Sequence, residues 1–192
     1  MTMFMYKKIC ITNRHLCSGD FIRHIGKILK TDVDMLILRE KDMSEGEYIK
    51  LADKVIALCS KHNKECILHS FVCAAKALNH KKIHLTMNGF LDLSDDDRKF
   101  FKKIGVSTHS VSEAITAQGL GASYITASHI YHTACKNDLL PKGIGYLNEV
   151  SKAVYIDVYA LGGINSDNII ECLRAGADGI CMMSQYMEGE LN

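Results

Sequence analysis

The stretch VYIDVYALGGINSDNIIECLRAGADGICMMS, residues 154–184, decides how the chain folds. An apolar run, Val154–Leu161, ends on the pair Gly162-Gly163. The triplet Asn165-Ser166-Asp167 then supplies hydrogen-bond acceptors ahead of a helical segment that ends near Ala175, with Gly176 as its stop. A second apolar run, Asp178–Met183, follows at once. Strand, short turn, helix, short turn and strand in that order make a crossover unit, the connection that parallel strands require.

The same unit recurs outward from this stretch. Further apolar runs lie at Tyr6–Thr12, Val33–Leu38, Glu65–His69, Lys82–Leu85, Ile104–Ser107 and Ser123–Ala127. Most are continuous rather than alternating, as expected of strands covered on both faces. Helical patterns run from about Gly19 to Lys30, from Ser44 to Lys61, and over Ser94–Lys103, whose acidic first turn suits the helix dipole. Ser44-x-x-Glu47 and Ser110-x-x-Glu113 read as capping boxes. Eight strand–helix units in 192 residues predict a compact, single-domain (β/α)8 barrel over residues 1–192. Little chain remains after Met187, so the final helix is expected to be short. An open doubly wound sheet is the alternative arrangement. Pro141, the single proline, falls in a turn-rich segment, Asn137–Gly145, read as a loop.

Composition narrows the function. The charged fraction is 23% and the net charge +1, which gives no single-sign field for nucleic acid or a membrane surface. No apolar stretch approaches a membrane span, and Met1–Lys8 does not read as a secretory signal. The eight cysteines contain no C-x-x-C pair, and several sit inside apolar runs as small hydrophobes, so a reducing, cytoplasmic setting is expected.

In a barrel of this kind the loops after the last two strands commonly hold a phosphate. Here Gly162-Gly163 follows strand seven, and Ser184-Gln185 follows Met183 at the end of strand eight, opening a short helix whose free N–H groups would point at an anion. The glycines allow backbone N–H groups to approach an anion, although a Gly-Gly pair alone would also serve a tight turn. Arg39-Glu40-Lys41 follows strand two, where a forked guanidinium and an ammonium can hold a carboxylate or phosphate. His84 ends strand four and His109 follows strand five. His129 directly follows strand six, with Thr133, Cys135 and Lys136 beyond it. His129 is the candidate proton-transfer group, since an imidazole titrates near neutrality. Arg39, Lys41, His109, Thr133 and Lys136 are candidate substrate contacts. Cys135 is not read as a nucleophile, because a basic neighbour in sequence does not by itself lower a thiol pKa.

These segments together resemble the thiamine phosphate synthase/TenI superfamily along nearly the whole chain. The residues that carry the resemblance are Ile11-Thr12-Asn13-Arg14, Leu38-Arg39-Glu40-Lys41, Ile83-His84-Leu85 and Gly105-Val106-Ser107-Thr108-His109. Further along come Gly121-Ala122-Ser123-Tyr124-Ile125, Thr133-x-Cys135-Lys136, Leu161-Gly162-Gly163-Ile164 and Ala175-Gly176-Ala177-Asp178-Gly179-Ile180. The resemblance implies a small phosphorylated thiazole as ligand. It also implies one of two activities: a Mg²⁺-dependent synthase that joins a pyrimidine diphosphate to thiazole phosphate, or a metal-free thiazole tautomerase of the TenI type. Synthases of this group carry an Asn-Asp pair after strand three and Gly-Gln-x-Asp after the His-Leu of strand four, both aspartates binding metal. Here those places read His69-Ser70 and Thr86-Met87-Asn88-Gly89, and Ile37 replaces the synthase glutamine of strand two. The departures favour the tautomerase, with no metal or other cofactor and with His129 as base. A synthase with a diverged Mg²⁺ site and a non-catalytic thiazole phosphate sensor or accessory protein remain as alternatives. The oligomeric state is left open, with a homo-oligomer among the options.

Overall fold

The computed structural model describes residues 6–133 and 139–189. Eight parallel strands close into a barrel in sequence order: β1 (Lys7–Ile11), β2 (Met35–Leu38), β3 (Glu65–His69), β4 (Lys82–Thr86), β5 (Lys103–Thr108), β6 (Tyr124–Ser128), β7 (Asp157–Leu161) and β8 (Gly179–Met182). Lys7–Cys10 of β1 pair with Gly179–Met182 of β8 and complete the ring. The closed (β/α)8 barrel expected from the sequence is therefore present, and the open sheet is excluded.

Side-chain alternation along the strands divides the apolar residues into two cores. Ile9, Ile11, Met35, Ile37, Ile67, Tyr124, Tyr159 and Cys181 fill the barrel interior. Their neighbours Cys10, Leu36, Leu38, Leu68 and Ile125 point outward and pack beneath the helices. Both faces are thus buried, which explains the continuous apolar runs. Gly105 makes room for the interior: a Cβ there would collide with the ring of Tyr124 and with Nδ1 of His84.

The helices between the strands are α1 (Phe21–Ile28), α2 (Glu45–Lys61), α3 (Val72–Ala77), α4 (Met87–Leu91), α5 (Asp95–Phe100), α6 (Val111–Gly119), α7 (Gly143–Ala153), α8 (Ile169–Arg174) and α9 (Ser184–Met187). Ser44 and Glu47 form the expected reciprocal capping box on α2. The second expected box is only half made. Ser110 accepts from Glu113 N–H, whereas the Glu113 carboxylate accepts from His109 N–H at 2.6 Å, one residue earlier, and so ties the end of β5 to α6. Asn168, not the 165–167 triplet, precedes α8; its amide accepts from Asn165 N–H at 3.0 Å and donates to Gly163 O at 2.9 Å. Lys103 starts β5 rather than ending a helix, because the segment after Phe100 turns back into the sheet. The turn-rich reading of 137–145 also ran too far, since α7 already begins at Gly143. The short last helix is fastened to α1 by His24 Nε2, 2.8 Å from Tyr186 O.

At the strand N-termini Glu65 binds Lys82 at 2.8 Å and Lys103 at 2.7 Å. Burial opposes ionisation of this carboxyl, but the two lysines outweigh it and hold the Glu65 pKa below the usual range.

Candidate functional site

The strand C-termini surround a cavity of about 370 Å³. Arg39, Lys41, His109, His129, Thr133, Gly162, Gly163, Met183 and Ser184 all line it. Nine of the ten residues singled out from the sequence are thus brought to one place. The tenth, Lys136, lies outside the described residues, as does Cys135.

Backbone donors gather where β7 and β8 end. Among the described residues no acceptor faces the backbone N–H groups of Gly163, Ile164, Ser184 and Gln185, and all four residues line the cavity. Clustered donors of this kind suit a phosphoryl group. The glycines also have a role that the sequence did not suggest. Gly162 and Gly163 have φ of +103° and +67°. A Cβ on Gly162 would strike Cβ of His129, and one on Gly163 would strike the backbone of Tyr131 and His132. The pair therefore lets the segment after β6 lie directly against the end of β7, where Ile130 N–H donates to Leu161 O at 3.0 Å and Tyr131 N–H to Gly162 O at 2.9 Å.

His129 is carried on that segment and is only 4% exposed. Its Nε2 lies 3.2 Å from Leu139 O. A carbonyl can only accept, so Nε2 bears a proton and Nδ1 is the ring nitrogen left without a partner among the described residues. Just after the neighbouring β5, His109 Nδ1 lies 3.1 Å from Ser128 O and 3.0 Å from Ser128 Oγ, so Nδ1 bears a proton and Nε2 is left without a partner among the described residues. Arg39 follows β2, half-way round the eight-stranded ring from β6, and so faces His129 across the mouth.

Two further histidines form the floor. His84 Nδ1 lies 3.1 Å from Tyr124 Oη and its Nε2 2.8 Å from Ser107 Oγ. Burial lowers its pKa to about 3, so the ring is neutral at physiological pH. His69 is held by Ser70 Oγ at 2.8 Å from Nδ1. Its pKa lies well below the ordinary value, first through burial and then through the proximity of His84, Arg39 and Lys41. The sequence placed His69 and His84 at strand ends without assigning them to the site. His69 does end β3, but β4 runs on to Thr86, so His84 is the central residue of that strand rather than its end, with its ring inside the barrel against Tyr124 and Ser107.

The chain matches the family described as Thiamine monophosphate synthase over residues 9–186. It belongs to that family. A thiamine-phosphate synthase of Chlorobium phaeobacteroides is 34% identical over 181 residues, covering 92% of this chain and 86% of the relative. One of Halalkalibacterium halodurans is 35% identical over 162 residues, covering 82% and 76%. Among solved structures, a thiamine phosphate pyrophosphorylase from Pyrococcus furiosus superposes with a TM-score of 0.83 at 25% identity, covering 96% of this chain and 89% of that one. The family places the chain in thiamine biosynthesis, and the names of these relatives favour a synthase over an isomerase.

Mg²⁺, which the synthase reaction implies, does not fit the donors that the described residues bring to this cavity. No Asp or Glu is among the described residues that line the cavity, and the lining residues that end β3 and β4 are His69 and Thr86. No group of three or more His, Cys, Asp or Glu side chains is placed to hold a metal among the described residues. Mg²⁺ demands hard oxygen ligands, usually including a carboxylate, whereas this floor presents neutral imidazoles.

Proposed function

We propose that this member of the thiamine monophosphate synthase family is a metal-independent thiazole tautomerase. It would move a proton on a thiazole carboxylate phosphate, from the non-aromatic to the aromatic tautomer. One observation carries the reading: His129, with its tautomer set by Leu139 O, borders the β7–β8 anion cradle in a cavity whose described lining holds no carboxylate. The cradle fixes the phosphoryl group. Arg39, across the mouth, holds the ring carboxylate with a forked guanidinium. Nδ1 of His129 takes a proton from one ring atom and returns one to another, so the reaction balances without a co-reactant.

The relatives' names support a second reading, thiamine-phosphate synthesis. One experiment separates the two. NMR follows proton exchange on thiazole carboxylate phosphate by the purified chain, with and without Mg²⁺ and the pyrimidine diphosphate. Exchange without metal, reduced about 10²- to 10⁴-fold in His129→Ala with ligand binding retained, supports the tautomerase. Mg²⁺-dependent formation of thiamine phosphate without exchange establishes the synthase and overturns the tautomerase. Binding with neither reaction overturns both and leaves a non-catalytic binder.

A further inference from the structure

We propose that Thr12 and Glu40 are positioning residues that aim Arg39 into the cavity. The inference rests on the anion-binding reading of that cavity and names the part of the fold that sets its cationic wall. Residues 39–42 leave β2 as an alternating segment. Arg39 and Lys41 line the cavity, while Glu40 and Asp42 turn the other way onto Arg14 of the loop after β1. Glu40 is 2% exposed and Thr12 is wholly buried. Thr12 Oγ1 donates to Glu40 Oε1 at 2.6 Å and accepts from Arg39 N–H at 2.9 Å. A single hydroxyl therefore joins the backbone of the cation to the carboxylate beside it.

Glu40 is held further by Arg14 N–H at 3.0 Å and Arg14 Nη1 at 3.2 Å. Arg14 in turn grips both oxygens of Asp42, at 2.6 and 2.5 Å. A buried carboxylate survives only when its oxygens are satisfied, so this one cannot swing toward the cavity without abandoning Thr12 and Arg14. Its fixed position sets the backbone direction at Arg39 and sends the neighbouring side chain to the opposite face. Neither Thr12 nor Glu40 lines the cavity, so both act through Arg39.

Thr12→Val tests this, because it keeps the volume, removes the shared hydroxyl and leaves Glu40 bonded to Arg14. Calorimetry compares thiazole phosphate with and without the ring carboxylate. In Thr12→Val, affinity for the carboxylated ligand is expected to fall about tenfold relative to the uncarboxylated one. Thr12→Ser, whose hydroxyl can make both bonds, is expected to restore the unaltered ratio. Retention of both affinities in Thr12→Val, or equal loss of both, would overturn the inference alone. Failure of the unaltered protein to bind either ligand would overturn the anion-binding reading and this inference with it.

Discussion

His69 and His84 are register partners on β3 and β4, and their imidazoles stack on the cavity floor with ring centroids 5.5 Å apart and planes 24° from parallel. The stack is compatible with two buried rings because both are neutral: burial pushes both pKa values down, and at His69 the proximity of His84, Arg39 and Lys41 pushes further in the same direction.

That relationship has a pH signature. In the unfolded chain both histidines protonate near pH 6.5, while the folded state resists protonation of His84 until about pH 3. Their neutral-state stability is thus complete above pH 6.5 and is lost as the pH falls below it. For His84 the loss is about 2 kcal/mol at pH 5. Thermal unfolding between pH 7 and 5 should show a Tm that drops more steeply in the unaltered protein than in a His84→Gln variant. Parallel curves would refute the assignment.

Gly162→Ala should damage the site and the fold together. The substitution places a Cβ against Cβ of His129 at a backbone φ of +103°. A loss of about 1–3 kcal/mol in stability is expected. Proton-transfer activity should fall further than the unfolded fraction explains. Denaturant unfolding and specific activity, measured on the same sample, check this.

Glu65→Gln should lower stability and leave the site intact. Glu65 sits at the far end of the barrel from the cavity, half-buried between Lys82 and Lys103. Stability is expected to fall by about 1–2 kcal/mol, with kcat and KM unchanged at a temperature where the variant stays folded. The carboxylate stabilises the fold above its unfolded pKa and ceases to do so as the pH falls through its lowered folded value. The difference between variant and parent should therefore shrink in acid.

Removal of metal should leave proton exchange untouched. A chelator such as EDTA, followed by Mg²⁺ replacement, is expected to give the same rate within error, because no described cavity residue offers a carboxylate to the ion. A rate that collapses on chelation and returns with Mg²⁺ would sink the metal-independent mechanism.

The sequence by itself determined the strand count, the parallel crossover pattern and the end of the barrel that carries the cavity. Each follows from local chemistry: runs such as Met35–Leu38 are apolar on both faces, and Ser44 and Glu47 cap a helix three residues apart. It also placed Arg39, His129, Gly163 and Ser184 at strand ends that the closed ring then brings to one cavity. Only the tertiary structure decided which way each side chain turns. In Arg39-Glu40-Lys41 the cations line the cavity and Glu40 is buried against Thr12, a partner 28 residues earlier in sequence. From the sequence Gly162 reads as an anion contact, and the fold makes it the surface on which the His129 segment rests. His69 and His84, 15 positions apart in the chain, become a stacked pair through the β3–β4 register. Such contacts depend on which strands become neighbours when the sheet closes, and no local spacing encodes that.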